Sequence, residues 1–166
     1  MHDQVRQSAD ERWADLADLA LVIAREIQFR GYTDERAVSL SPSEGMVMRH
    51  LFGDPAAPPS RIAAATGLQR TNLSTTLRGL ETKGLIERRI SEDDRRGVTV
   101  HVTERGRTNY DLVRQEWATA VASAAGHDTG NLDAALTLLG AVETALVAAR
   151  SGTPPEKPAV SAAAPR

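Results

Sequence analysis

Residues 85–102 read LIERRISEDDRRGVTVHV. Val98, Val100 and Val102 alternate with Thr99, His101 and Thr103, the period of a strand with one buried face. Leu85, Ile86 and Ile90 supply the apolar positions of the run before it. The spacing predicts strands over 85–90 and 98–103, joined as a β-hairpin. Its tip carries Glu92, Asp93 and Asp94, then Arg95, Arg96 and Gly97. A bland turn needs only a glycine and a polar residue or two. The charge of both signs is therefore either a solvated turn with internal ion pairs or something with a use.

Working upstream, residues 69–83 read QRTNLSTTLRGLETK. Leu73, Leu77 and Leu80 recur at helical spacing and form one apolar stripe. The opposite surface offers Arg70, Thr71, Ser74, Thr75 and Arg78, with Asn72 at its margin. Gly84 is the stop signal. Before this helix, PSRIAAAT at 59–66 reads as a short helix, and Gly67 allows a tight turn. Two helices around a glycine turn make a helix-turn-helix, and the hairpin that follows makes it a winged helix. Further upstream, LSPSEGMVMRHLFG (40–53) carries a capping box, with Ser41 at the cap, Pro42 at the first position and Glu44 three residues on. Val47 and Leu51 point inward.

The flanks are helical as well. In 10–30, Trp13, Leu16, Leu19, Ile23 and Ile27 follow a spacing of three and four, and Gly31 ends the helix. In 107–125, Tyr110, Val113, Trp117 and Val121 form a stripe. The last helix starts at Thr129 or Asn131 and runs to 150, with Leu132, Leu136, Leu139, Val142 and Leu146 in line. Its charges are few: Asp133, Glu143 and Arg150. A helix this apolar needs cover on more than one side, which predicts a dimer interface. The tail SGTPPEKPAVSAAAPR (151–166) has little to bury and is expected to be mobile. The fold class is thus mainly α with a small β-hairpin: a winged helix-turn-helix between N- and C-terminal dimerisation helices. The regions are 1–39, an N-terminal dimerisation helix; 40–107, the winged helix-turn-helix; 108–150, the C-terminal dimerisation helices; and 151–166, a Pro/Ala-rich tail.

Totals narrow the function. The chain has 166 residues, 41% hydrophobic and 25% charged, ordinary for a globular protein. No apolar run approaches the roughly 18–20 residues of a membrane span, and the N-terminus lacks a secretory core. A cytoplasmic protein with no membrane partner is the expectation. With no cysteine there is no disulfide, thiol nucleophile or thiolate metal site. His2, His50, His101 and His127 have no ligand-like spacing, so no metal or other cofactor is expected. No phosphate loop or nucleophile turn is present, and Asp93 and Asp94 are too solvated for acid–base work. No catalytic residue is assigned, and an enzyme is not expected.

Net charge is −2 at pH 7, but its distribution is uneven. Residues 61–107 hold ten Arg/Lys against six Asp/Glu, while the rest holds ten against sixteen. The one basic stretch coincides with the winged helix. A DNA major groove admits an α-helix, and its edges suit Asn, Thr and Arg. The polar face of 69–83 has those residue types at its N-terminal half, although a plain solvent face has them too. Two arginines on a hairpin tip suit a narrow minor groove, where the potential is most negative.

The segment GLETKGLIERRISEDDRRGVTVHVTERGR (79–107) resembles the MarR family of bacterial winged-helix regulators. The ordered set KGLIERR, DRR at Asp94–Arg96, and VTERGR carries the resemblance. LSPSEGMVMRHL is similar to the family's second helix and GLQRTNLSTTLRGLE to its recognition helix. The resemblance implies a homodimeric regulator, most often a repressor, that binds an inverted-repeat operator in double-stranded DNA. It implies that Thr71, Asn72 and Thr75 read bases and that Arg95 enters the minor groove, flanked by Asp94 and Arg96. Ser60, Arg61, Arg70, Ser74 and Arg78 become phosphate partners, which position without reading sequence. Some members sense oxidants through cysteine, a branch this chain cannot join. Others bind aromatic acids, and Trp13, Met46, Met48, His50 and Trp117 are the candidates to line such a ligand site. Core or interface packing is the plainer role for those five. A winged helix used for protein contact, without DNA, remains the other reading of the whole.

Overall fold

A computed structural model of the chain describes residues 2–90, 97–150 and 152. Six helices and three short strands follow in the order α1 (His2–Phe29), α2 (Pro42–Gly53), β1 (Ala56–Ala57), α3 (Pro59–Thr66), α4 (Arg70–Thr82), β2 (Ile86–Ile90), β3 (Val98–Val102), α5 (Glu104–Ala124) and α6 (Leu132–Arg150). The tip residues Asp94, Arg95 and Arg96 lie outside the described residues, as does the tail apart from Gly152.

The capping box at the start of α2 forms as its sequence implies. The Ser41 hydroxyl accepts from the Glu44 N–H, and the Glu44 carboxylate accepts from the Ser41 N–H at 2.7 Å. The same carboxylate is buried and takes a 2.6 Å salt bridge from Lys83, at the end of α4. Lys83 also donates to the Ser39 carbonyl at 2.9 Å. A Cβ on Gly79 would stand 2.8 Å from Glu44 Oε1, so the glycine lets α4 approach the carboxylate. One acid thus ties the start of α2 to the end of α4, 39 residues along the chain.

Around that tie sits one core. Val47, Met48 and Leu51 of α2, Ile62 of α3, Leu73, Leu77 and Leu80 of α4, Leu85, Ile86, Val100 and Val102 of the hairpin, and Tyr110 of α5 form a single cluster. Each fully buried aliphatic side chain of this size contributes about 1.5–3 kcal/mol. β2 and β3 pair antiparallel with Ile86 opposite Val102 and Ile90 opposite Val98. The buried alternation holds only at the base: Val98 and Ile90 are exposed, because the hairpin runs past the edge of the core. The residue spacing predicts two strands. The sheet has three, since Ala56 and Ala57 add β1 to the free edge of β3.

The motif VTERGR has a structural reason. Thr103 is not strand but the N-cap of α5: its hydroxyl accepts from the Gly106 N–H at 3.0 Å and donates to the Gly84 carbonyl at 2.7 Å. A Cβ on Gly106 would lie 2.0 Å from the Leu85 carbonyl oxygen. Gly84 itself takes φ +70°, the left-handed region that ends α4. KGL and ERG therefore lock the base of the hairpin to α5. The start of α5 at Glu104 carries it across the expected region boundary at 107, and Tyr110 and Val113 are buried.

The terminal helices differ from the lobe they flank. α1 begins well before residue 10, and its stripe is open: Trp13 is 55% exposed, Leu19 60% and Ile23 52%. α6 buries no residue within the chain. Over an 18-residue window its mean hydropathy of 1.6 makes it long and apolar enough to cross a membrane by length and composition. This corrects the expectation that no apolar stretch approaches that length. Asp133 and Glu143 interrupt the window without lowering its average enough.

The Leu85–Gly106 approach generates a test. Gly106→Ala should lower stability by about 1–3 kcal/mol, as overpacking against fixed backbone does. Urea unfolding should show a lower midpoint at unchanged slope.

Candidate nucleic-acid interface

α4 presents its two faces as its residue spacing implies. Leu73, Thr76, Leu77 and Leu80 are buried. Arg70, Thr71, Asn72, Ser74, Thr75 and Arg78 are all exposed. Thr76 resolves its hydroxyl by donating to the Asn72 carbonyl at 2.8 Å, and Thr75 donates to the Thr71 carbonyl at 3.2 Å. The Thr75 methyl and oxygen lone pairs stay accessible. At the N-terminus, Gln69 makes no side-chain cap bond. The first N–H groups of α4, at the positive end of the helix dipole, therefore take no cap from Gln69.

A groove of about 550 Å³ lies between α3, α4 and β2, lined in part by Ser60, Arg70, Ser74 and Arg88. Ser60, Arg70 and Ser74 are three of the expected phosphate partners, brought together here. Arg78 stands elsewhere on the exposed face of α4, and Arg61 is held by Asp54 in a 2.9 Å salt bridge. Arg88 is a groove residue that the sequence did not single out. It faces the core side of the hairpin, opposite Val100, but one step beyond the buried Ile86. Its guanidinium reaches the groove and pairs with Glu81 at 3.3 Å. The signal lies in the strand alternation, where Ile86, Arg88 and Ile90 share a face.

The five candidates for a ligand site do not share one cavity. Met46 and Trp117 do, in a cavity of about 470 Å³ whose walls include Tyr32, Leu40, Arg49 and Tyr110. Trp13 lies in a separate cleft of about 350 Å³ between α1 and Leu138 of α6. Met48 is wholly buried in the core, because the α2 periodicity turns it away from Met46. His50 is half-buried, and its Nε2 has no hydrogen-bond partner among the described residues. Among the described residues, no group of three or more His, Cys, Asp or Glu is placed to hold a metal ion.

The loop between α1 and α2 forms one wall of the Met46–Trp117 cavity and is fastened to α5 by polar bonds the sequence did not signal. Asn109 is buried and brackets Val38, accepting from its N–H at 2.6 Å and donating to its carbonyl at 3.1 Å. The Glu116 carboxylate accepts from the Thr33 hydroxyl at 2.7 Å and the Asp34 N–H at 3.0 Å. Those bonds hold its carboxyl below the usual range. The Arg36 side chain, then its N–H, draws the Asp34 carboxyl down to about 2. Burial pushes the Tyr32 hydroxyl up.

The sequence profile of the MarR family matches residues 40–98, from the capping box to the start of β3. The transcriptional repressor CouR, solved bound to a 23-mer DNA duplex, is 30% identical; the match covers 63% of this chain and 75% of that one, with a TM-score of 0.52. The chain belongs to the MarR family. FabT of Streptococcus pneumoniae, solved in complex with DNA, is 26% identical over 82% of this chain and 92% of its own, with a TM-score of 0.58. The regulator BldR of Sulfolobus solfataricus shares the fold at 19% identity, covering 80% of this chain and 94% of its own, with a TM-score of 0.62. A search of curated proteins returns no match. MarR family members are DNA-binding transcription regulators rather than enzymes.

The carboxylate anchors of the loop set a pH expectation. A carboxyl whose folded value is depressed stabilises above its unfolded value, near 4, and that contribution is lost as pH falls through the folded one. Acidification from pH 5 towards 2 should loosen residues 33–36, raising their amide exchange. Glu116→Gln should remove part of that pH dependence.

Proposed function

We propose that this MarR family protein is a homodimeric, sequence-specific transcriptional repressor that binds an inverted repeat in double-stranded DNA. The observation that carries the reading is the uncapped, exposed N-terminal half of α4 beside a groove bearing Ser60, Arg70, Ser74 and Arg88. In it, α4 enters the major groove. Thr71, Asn72 and Thr75 meet base edges; asparagine suits adenine and a threonine methyl suits thymine. Ser60, Arg61, Arg70, Ser74, Arg78 and Arg88 meet phosphates and set the register. Arg95, flanked by Asp94 and Arg96, is assigned to the minor groove on the family resemblance.

The homodimer is supported by the apolar surface of α1 and α6. Leu132, Leu136, Leu139 and Leu146 share one helix face and are 44–67% exposed. So contiguous an apolar surface calls for protein cover. We assign residues 1–39 and 108–150 to assembly and 40–107 to DNA, with the first turns of α5 shared. A small aromatic ligand in the Met46–Trp117 cavity would release DNA: Tyr32, Tyr110 and Trp117 supply aromatic walls and Arg49 a cation. A ligand acts only through its differential affinity for the two forms of the dimer.

Duplexes selected from a random pool should share an inverted repeat, and their affinity should fall steeply with salt as counterions are released. Asn72→Ala should cost about 1–3 kcal/mol at one base position of each half-site and leave the salt slope alone. Arg88→Ala should weaken all sequences alike and reduce the salt slope by about one for each phosphate no longer neutralised. Arg95→Ala should cost about 1–3 kcal/mol without lowering the melting temperature. No preference over random DNA at any salt concentration would sink the reading in favour of a protein-contact module. A monomer in sedimentation at micromolar concentration would contradict the assembly role of α1 and α6.

A further inference from the structure

The last helix carries three charged side chains among its nineteen residues, and two of them are spent on the DNA-binding lobe. Glu143 takes a 2.6 Å salt bridge from Arg49 of α2. Arg150 donates to the Ala65 carbonyl of α3 at 2.6 Å. Seven residues separate Glu143 from Arg150, two helical turns or about 10 Å along one face. That face is also the leucine stripe, so the two charges interrupt an apolar row at its C-terminal end. The stripe carries both uses: Leu132, Leu136, Leu139 and Leu146 are left exposed for a second subunit, while Glu143 and Arg150 reach back to their own lobe.

The Arg150 contact is closely fitted. Ala65 lies in the last turn of α3, whose carbonyls lack partners within the helix, and a cation there also meets the negative end of the helix dipole. The guanidinium sits against Gly67, the left-handed residue of the helix-turn-helix turn, with φ +72°. A Cβ on Gly67 would come within 2.6 Å of Arg150 Nη1. The glycine thus supplies both the turn and the seat for the arginine. Three residues later α4 begins, with Arg70, Thr71 and Asn72 in its first turn.

We infer that Glu143 and Arg150 form a two-point clamp by which α6 sets the pose of the helix-turn-helix, with Arg150 a positioning residue for the turn that aims α4. The clamp links the assembly helix to the DNA-reading helix without passing through the hairpin. Its contacts are partly exposed, so each is weak and the clamp adjusts affinity rather than creating it. The consequence for DNA rests on the function proposed above; the hold on the turn does not.

Two measurements separate those claims. In the free protein, Arg150→Ala should speed amide exchange at residues 66–70 while the dimer and the melting temperature stay unchanged, and Arg150→Lys should restore part of the protection. Unchanged exchange there overturns the clamp, whatever DNA does. The pair Arg150→Ala and Glu143→Ala should then weaken binding to a duplex selected by the wild-type protein by roughly three- to tenfold, scaled from two weak contacts. The charge swap Arg49→Glu with Glu143→Arg should recover more affinity than either single change. Equal affinity of the double variant and the wild type, or a loss that tracks dissociation to monomers, overturns the positioning role. A wild-type protein that selects no duplex counts against the proposed function, and the exchange result then decides the clamp.

Discussion

Glu44 places a carboxylate at the inner edge of the core, where an unpaired charge would cost several kcal/mol. It is tolerated because every face of it is used. One oxygen holds the Ser41 N–H and Lys83, and the other lies over Gly79. The capping box is a local event, settled within four residues. The lysine and the glycine come from α4, which is also the helix that faces outward with Arg70, Thr71 and Asn72. The start of α2 and the pose of α4 are therefore one constraint. Removing the acid would take away half of one helix's capping box and leave Lys83, at the end of another, without its carboxylate.

A second set of contacts completes the lobe from the other side. Thr103 and Gly106 bind the start of α5 to Gly84 and Leu85, so the hairpin leaves the core at a defined angle. Beyond that base the hairpin has no core beneath it, and Val98 and Ile90 are exposed. The family motif around this segment thus mixes two kinds of residue. KGL and ERG belong to the architecture. Arg88 belongs to the groove.

Outside the lobe the energetics change character. α1 and α6 hold large apolar side chains that their own chain does not cover. What they touch within the chain is specific: Trp13 sits beside Leu138, and Glu143 and Arg150 reach α2 and the turn after α3. A chain built this way has one self-sufficient core and two arms whose apolar surface it leaves largely uncovered. The loop after α1, pinned by Asn109 and Glu116, connects these two regimes and walls the cavity beside Trp117.

Much of this was legible from residues alone, because much of it is local. The capping box, the leucine spacing of α4, the Gly84 stop and, at the base of the hairpin, the valine alternation each depend on side chains within a turn or a strand pair, and each formed. The exposed set on α4 followed from the same periodicity. Tertiary structure decided what depends on partners far along the chain. β1 has only two residues and exists because β3 offers it an edge. Met48 has no place in the cavity beside Met46 and Trp117 because the core claims it. Gly106 looks like any glycine until the Leu85 carbonyl stands against it. Arg88, Asn109, Glu143 and Arg150 found partners from 7 to 94 residues away. Helical and strand periods repeat over three or four residues and can be read in one dimension. Side-chain pairing over longer separations depends on how the helices cross, and only the folded chain specifies that.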